Sequence, residues 1–265
     1  MSTSAPLKIY RKPRLKNPRL VLAWGSIGDM DIEVGVEALT YLKERLGARP
    51  FGQIEPYDFF TPSVEVENGL LSEPQFPRST FYSWENRVGD GLILFIADHE
   101  PPFRRYEYAS LILQVAEEFH VSGIYTVCAF PTLISHTAEP RVFGVANESR
   151  LIPYLEQCGL TLLGERALIS MNGLLLGLAR QRGVAGIYLL GEVPSYAAES
   201  ANPKLCRALL RTLTAMLGIS LDLAEFEPWI EQAETEMNEV VKEASRAFLE
   251  DFTIDYRDLF REEDH

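Results

Sequence analysis

The chain has 265 residues, of which 46% are hydrophobic and 24% charged, a composition typical of a globular protein. No apolar run reaches the roughly 18 residues of a membrane span, and no apolar segment follows the basic N-terminus as a secretory signal would require. The net charge of −13 argues against a nucleic-acid-binding surface. The three cysteines are odd in number and lie in apolar segments, which favours reduced thiols and predicts a cytoplasmic protein.

The charge is unevenly distributed along the chain. Residues 1–20 contain six Lys or Arg and no acid, whereas residues 225–265 contain 14 acids against 4 bases. We therefore predict a basic arm at 1–18, an α/β domain at 19–224 and an acidic helical extension at 225–265. A short basic terminus is usually a solvated tail. The alternative is that the arm contacts the acidic extension of its own or a neighbouring subunit.

Apolar runs and helical periodicity alternate along the central part of the chain, which predicts an α/β fold. The predicted strands are Arg19–Trp24, Phe51–Tyr57, Gly91–Ala97, Gly123–Phe130, Arg141–Ala146 and Ile187–Leu190. The predicted helices are Asp31–Leu46, Tyr106–Phe119, Leu151–Gln157, Leu174–Gln181, Pro203–Leu217 and Glu227–Phe260. Several of these strands are apolar at nearly every position and are expected to be covered on both faces. The prediction is a three-layer α/β/α architecture around a mostly parallel central sheet.

Residues 59–86 interrupt this alternation with a stretch rich in Pro, Ser, Glu and aromatics. Asn68-Gly69 predicts a hairpin turn within it. Two interpretations of the aromatic side chains stay open: they anchor an interface, or half or more of them pack on the domain. The six are Phe59, Phe60, Phe76, Phe81, Tyr82 and Trp84.

The turn after the first predicted strand contains Gly25 and Ser26, two candidate binding residues. Ligands of α/β sheets usually bind beyond the carboxyl ends of the strands, and a glycine turn between strand and helix is typical of phosphate binding. However, the turn contains only G-x-x-G of the dinucleotide pattern G-x-G-x-x-G, and Asp29 and Asp31 would repel a phosphate. A plain strand-to-helix turn is the favoured interpretation.

Three further candidates, His99, Asn172 and Glu192, lie at or near predicted strand ends. His99 stands between two carboxylates, where a histidine can act as a base or a metal ligand. The histidines lack zinc-ligand spacing and no G-x-S-x-G motif is present, so we predict no metal, no cofactor and no catalytic residue set. Asn172 is interpreted as the N-cap of the helix that follows, and Glu192 as a carboxylate capping a neighbouring helix.

Three segments together resemble the proteasome assembly chaperone family, in particular its archaeal and bacterial members related to the second eukaryotic chaperone subunit. They are residues 22–28 (LAWGSIG), 141–147 (RVFGVAN) and 172–196, which contains NGLLLG and LLGEVPSY. The resemblance covers roughly residues 18–220. It implies a phosphorylase- or hydrolase-like α/β/α fold without an established catalytic set, binding to proteasome subunits, and homo-oligomers.

One feature of that family is missing from the sequence. Some members end in a hydrophobic-Tyr-any tripeptide that inserts into the proteasome, whereas this sequence ends Glu-Glu-Asp-His, and Asp255-Tyr256-Arg257 is an internal approximation. Docking through the tail is therefore not expected.

Two functions of different class remain open. The first is a non-enzymatic, homo-oligomeric protein-binding or assembly factor that binds itself and another protein complex but neither nucleic acid nor membrane. The second is a small-molecule hydrolase or phosphorylase that uses the strand-end loops with Ser26, His99, Glu100, Asn172 and Glu192.

Overall fold

The computed structural model describes residues 5–26, 33–86 and 90–259, and the side chains of all of these except residues 26 and 248–259. The helices within these ranges are α1 (Val34–Leu46), α2 (Arg105–Glu118), α3 (Ile152–Gln157), α4 (Met171–Gln181), α5 (Pro203–Leu217) and α6 (Phe226–Leu259). The strands are β1 (Leu7–Ile9), β2 (Arg19–Ser26), β3 (Arg49–Ile54), β4 (Val66–Glu67), β5 (Leu70–Leu71), β6 (Ser79–Trp84), β7 (Leu92–His99), β8 (Gly123–Thr132), β9 (Val142–Ala146), β10 (Thr161–Leu162) and β11 (Gly186–Pro194).

Nine of these strands form one mixed sheet in the order β1-β3-β6-β7-β2-β8-β11-β9-β10. Its four inner strands, β7, β2, β8 and β11, are parallel. Their carboxyl ends therefore meet at one edge of the sheet, which we call the carboxyl edge. The flanking strands β6 and β9 run antiparallel to this centre.

Helices cover both faces of the sheet and bury its apolar side chains in two cores. Helices α2 and α4 cover one face, where Phe95 and Tyr188 of the sheet are buried. Helices α1 and α5 cover the other, over Val21 and Leu189. The inner strands are apolar on both sides because both sides face a core. The predicted three-layer α/β/α fold is confirmed.

The excursion after β3 contains more regular structure than predicted. The turn at Asn68-Gly69 joins β4 to β5, with positive φ angles of 51° and 82° that suit a two-residue hairpin turn. Strand β6 then follows, with alternately buried side chains, and joins the main sheet. Of the six aromatics, Phe59, Phe60 and Phe81 are buried and the others pack partly buried against the cores. Half of them are therefore core residues and the rest pack against the cores, which favours the packing interpretation.

The basic arm is not a solvated tail, because β1 pairs antiparallel with the edge of β3. Its cations pair with acids of the α/β domain: Lys8 with Glu55 at 3.0 Å and Lys12 with Glu118 at 2.6 Å. Within the described residues, the arm makes no ion pair with the acidic extension of its own chain. Contact with a neighbouring subunit stays a prediction.

Helix α6 begins on the domain and runs toward the carboxyl edge. Phe226 and Ile230 are buried in the core beneath α5, and Glu234 forms an ion pair with Lys204 at the start of that helix. At Asn238 the helix reaches the loop after β8, and it continues for a further 21 residues, about 30 Å. In the described part of the chain, no helix is long and apolar enough to cross a membrane.

Candidate functional site

Gly25 and His99 lie side by side at the carboxyl edge, because Ser26 of β2 is in register with His99 of β7. A Cβ atom on Gly25 would lie 2.1 Å from the backbone oxygen of Asp98, so only glycine permits this close approach of the two strands. Gly25 therefore has a structural explanation. The side chain of Ser26 and the rest of the predicted strand-to-helix turn, within residues 27–32, lie outside the described residues.

The three polar side chains at the end of β7, those of Asp98, His99 and Glu100, lie in different environments. Asp98 accepts hydrogen bonds from the backbone N–H (2.9 Å) and Nε (3.4 Å) of Arg78. His99 is exposed, and its ring has no hydrogen-bond partner among the described residues. Glu100 turns inward and is 9% exposed. Among the described residues, His99 is therefore not paired with either neighbouring carboxylate.

Glu100 occupies the N-terminus of α4. Its carboxylate accepts a hydrogen bond from the backbone N–H of Met171 (3.2 Å) and pairs with Arg105 at 2.6 Å. Burial nevertheless raises the pKa of Glu100, because desolvation outweighs the lowering effects of Met171 and Arg105. Glu100, and not Glu192 as predicted, is therefore the carboxylate that caps a helix N-terminus.

The prediction that Asn172 is the N-cap of α4 is wrong. The cap is Ser170, whose hydroxyl accepts a hydrogen bond from the backbone N–H of Gly173 at 3.2 Å. Asn172 instead lies within the first turn, 2% exposed, and donates from Nδ2 to the Tyr188 hydroxyl at 3.2 Å. Among the described residues its Oδ1 has no partner. The side chain ties α4 to β11 inside the core.

The buried carboxylate of Glu192 forms an ion pair with the largely exposed Arg141, which corrects the prediction that Glu192 caps a helix. Its carboxylate accepts two hydrogen bonds from the Arg141 guanidinium, at 2.8 and 2.9 Å, and one from the Thr132 hydroxyl at 2.8 Å. The Arg141 hydrogen bonds lower the pKa of Glu192 to about 2. With 2% of the residue exposed, this carboxylate is occupied by structural partners.

The predicted residues thus divide into separate groups. Gly25 and His99 lie at β2 and β7, whereas Glu192 lies on β11, three strand spacings or about 14 Å from β7. Asn172 is engaged with Tyr188 below that edge. In the described residues no group of three or more His, Cys, Asp or Glu could hold a metal ion. Among the described residues, the candidates form structural pairs and do not assemble into a reactive cluster.

The carboxyl edge has an apolar character that was not predicted from the sequence. Large hydrophobic side chains are exposed in the segments that follow β7, β8 and β11 and in the one that precedes α4. They are Phe103 (54% exposed), Leu133 (97%), Tyr196 (56%) and Ile169 (89%). Each lies within two residues of a strand end or a helix start, where the candidates predicted from the sequence are glycine and polar residues.

A groove opens where α6 passes this edge. It has a volume of about 770 Å³ and is lined mainly by Tyr196 of the edge and by Met237, Val240, Val241 and Ala244 of α6. His136 joins its two sides: Nδ1 lies 2.8 Å from the Tyr196 hydroxyl and Nε2 lies 3.0 Å from Oδ1 of Asn238. The groove is predominantly apolar. Among the described residues, the part of α6 that lines it has no partner other than the carboxyl edge.

Comparison with known proteins gives one family and several similar structures. A model of the PAC2 family matches residues 20–241. The uncharacterized protein MJ1210 of Methanocaldococcus jannaschii is 22% identical over 214 residues, which are 80% of this chain and 79% of that protein.

Two crystal structures of similar fold come from an archaeon and a bacterium. PbaB of Pyrococcus furiosus, an archaeal proteasome activator, superposes with a TM-score of 0.74 at 24% identity, over 88% of this chain and 97% of that one. Rv2125 of Mycobacterium tuberculosis, a proteasome-assembly chaperone homologue, gives 0.71 at 21% identity, over 83% and 94%.

Proposed function

Because the chain belongs to the PAC2 family, we propose that it is a non-enzymatic, homo-oligomeric protein-binding factor of the assembly-chaperone type. The observation that carries this proposal is the apolar carboxyl edge. Exposed hydrophobic patches on a soluble protein commonly mark protein interaction sites. Here Leu133 and Tyr196 stand exposed beside the apolar groove of α6.

The similar structures support the same class of function. PbaB is a proteasome activator and Rv2125 a proteasome-assembly chaperone homologue, and both descriptions refer to the proteasome, which is a protein complex. The partner of this chain is proposed only as a protein complex.

Self-association is proposed through the part of α6 beyond Met237. Val240 is 57% exposed and Val241 38% exposed, although both are apolar. A long helix with an apolar side and no described partner is stabilised when a second copy covers that side. The same contact would bury the groove beside His136.

The enzyme hypothesis gains no support from the geometry. A hydrolase or phosphorylase needs a base or nucleophile close to a group that binds its substrate. Asn172 and Glu192 are instead buried with Tyr188 and Arg141, in two separate places.

The molar mass of the full chain in solution tests the proposal. We expect light scattering after size exclusion to give a mass of at least two chains, and Val240→Glu to lower it by placing a charge in the contact. Val66→Glu is the matched control, because Val66 is 66% exposed but lies on the hairpin β4–β5, away from α6. A monomeric wild type, or equal masses for wild type and Val240→Glu, would contradict the self-association.

A further inference from the structure

A second groove lies between α1, the start of α5 and α6, away from the carboxyl-edge groove. Its volume is about 370 Å³, and its lining includes Tyr41, Phe226 and Trp229 together with Glu37 and Glu236. Cavities of this size are at the small end of those that hold ligands. It therefore has room for one long side chain and its immediate neighbours.

The walls of this groove are aromatic. Phe226 makes edge contacts with Tyr41 and Trp229, at centroid distances of 5.0 and 5.1 Å. Phe226 is buried, but Trp229 is 46% exposed, so its indole ring can contact a side chain of a bound partner. Arg45 already stacks on Tyr41, 5.2 Å from the ring centroid, which shows that this cluster accommodates a guanidinium. Tryptophan is the aromatic side chain that binds cations best.

The described residues that line the groove include two acids, Glu37 and Glu236, and no Lys or Arg. Neighbouring acids of the same region are paired: Glu225 with Arg45, Glu227 with Arg207 and Glu234 with Lys204. Glu37 and Glu236, by contrast, have no ion-pair partner among the described residues. Desolvation raises the pKa of Glu37, and nearby Glu33 raises it further, so a cation at this rim would relieve an unfavourable field.

The N-terminus of α5 lies in the groove, and the positive end of its dipole would repel a cation there only weakly. Asn202 caps the first turn of α5 by accepting a hydrogen bond from the backbone N–H of Leu205 at 2.9 Å, and Pro203 has no N–H to present. Lys8 and Lys12 in the basic arm of a second copy are poor occupants, because both are already paired with acids of their own domain.

We propose that the groove between Tyr41, Trp229, Glu37 and Glu236 binds an arginine or lysine side chain of a partner protein, flanked by apolar residues. The aliphatic stem packs on the aromatic walls, and the cationic head lies over Trp229 between the two carboxylates. This inference rests on the proposed protein-binding function and names the chemistry of the segment recognised.

The test uses the full chain and two synthetic peptides in isothermal titration calorimetry. One is acetyl-Ala-Leu-Arg-Leu-Ala-amide, and the other has citrulline, which is neutral and of the same shape, in place of arginine. We expect saturable binding of the arginine peptide, weakened about tenfold by citrulline and by 0.5 M salt. Trp229→Ala is expected to weaken it by about three- to tenfold.

Charge reversal at the rim provides the decisive pair of variants. Glu236→Lys should weaken the arginine peptide about tenfold or more, whereas Glu231→Lys, an equal charge change on the same exposed helix outside the groove, should leave affinity within about twofold. Both sites are exposed, so both variants are expected to fold.

Three results of the peptide titrations would overturn the inference: no saturable binding up to millimolar peptide, equal binding of the citrulline peptide, or equal effects of the two charge reversals. The mass of each variant is measured in parallel. A lower mass for Trp229→Ala would identify the groove as a contact between copies and overturn the cation-binding inference, while leaving self-association supported. If Trp229→Ala loses peptide binding but keeps the wild-type mass, the cation-binding inference is supported independently of self-association.

Discussion

Two buried carboxylates at the carboxyl edge, Glu100 and Glu192, have opposite electrostatic properties. Both follow or end an inner strand and both pair with an arginine. Yet the pKa of Glu192 is lowered to about 2, whereas the pKa of Glu100 is raised. A position at the end of a parallel strand therefore does not by itself define what a carboxylate does.

The difference lies in the number of hydrogen bonds that stabilise the charge. Glu192 accepts two hydrogen bonds from Arg141, another from Thr132 and a longer one from the Arg141 backbone N–H at 3.3 Å. Glu100 accepts only from Met171 and Arg105, so desolvation dominates. Strongly shifted pKa values are common at functional sites, but structural pairs produce them as well. Here both carboxylates fix elements of the fold: β9 to β11, and the end of β7 to α4.

The largest expected effect is the loss of stability at Glu192 in acid. Its folded pKa of about 2 is below its ordinary value of 4.5, so its contribution is present above pH 4.5 and is lost as the pH falls toward 2. The shift corresponds to about 3 kcal/mol, which solvent screening at the largely exposed Arg141 reduces to about 2. Urea unfolding at pH 7, 4.5 and 3 should show this loss in wild type and not in Glu192→Gln. Parallel pH profiles would refute it.

Removal of the arginine should cost slightly less. In Arg141→Ala, Glu192 keeps Thr132 but loses its cation inside the protein, and we expect the free energy of unfolding at pH 7 to fall by about 1.5 kcal/mol. Arg150→Ala is the matched control, because Arg150 is similarly exposed (68% against 62%) but pairs with a less buried acid, Glu148. That control should cost less than about 0.5 kcal/mol. Equal losses would show that burial of Glu192 is immaterial.

Much of the fold follows from local patterns. The runs that are apolar throughout locate β7 and β8 to within two residues and the start of β11 to within one, although β11 extends four residues beyond its predicted end. The bounds of α5 are predicted correctly by Pro203 at its start and Gly218 after its end. Strands β1 and β6 were missed. One has three residues and the other lies in a stretch rich in prolines, so both depend on pairing with strands distant in sequence.

The candidate residues show the same division between local and distant information. The sequence placed Asn172, Glu192 and His99 correctly near one edge of the sheet, because strand ends are locally encoded. It could not give their partners: Arg141 lies 51 residues before Glu192, and Met171 lies 71 residues after Glu100. Burial of a polar group is decided by such distant contacts, and so is its role.

The smallest expected effect sharpens the comparison from the side of Glu100. Since its folded pKa is raised, its favourable contribution is complete below pH 4.5 and is lost as the pH rises through the folded pKa, the reverse of Glu192. Glu100→Gln keeps an oxygen for the Met171 N–H and removes the buried charge. Its stability relative to wild type should therefore improve between pH 4 and pH 7, by less than the change at Glu192. Glu243→Gln, on an exposed part of α6, should not alter the profile. If the stability of Glu100→Gln relative to wild type instead fell as the pH rose, the attraction of Arg105 would outweigh desolvation. The pKa values of Glu100 and Glu192 would then be shifted in the same direction.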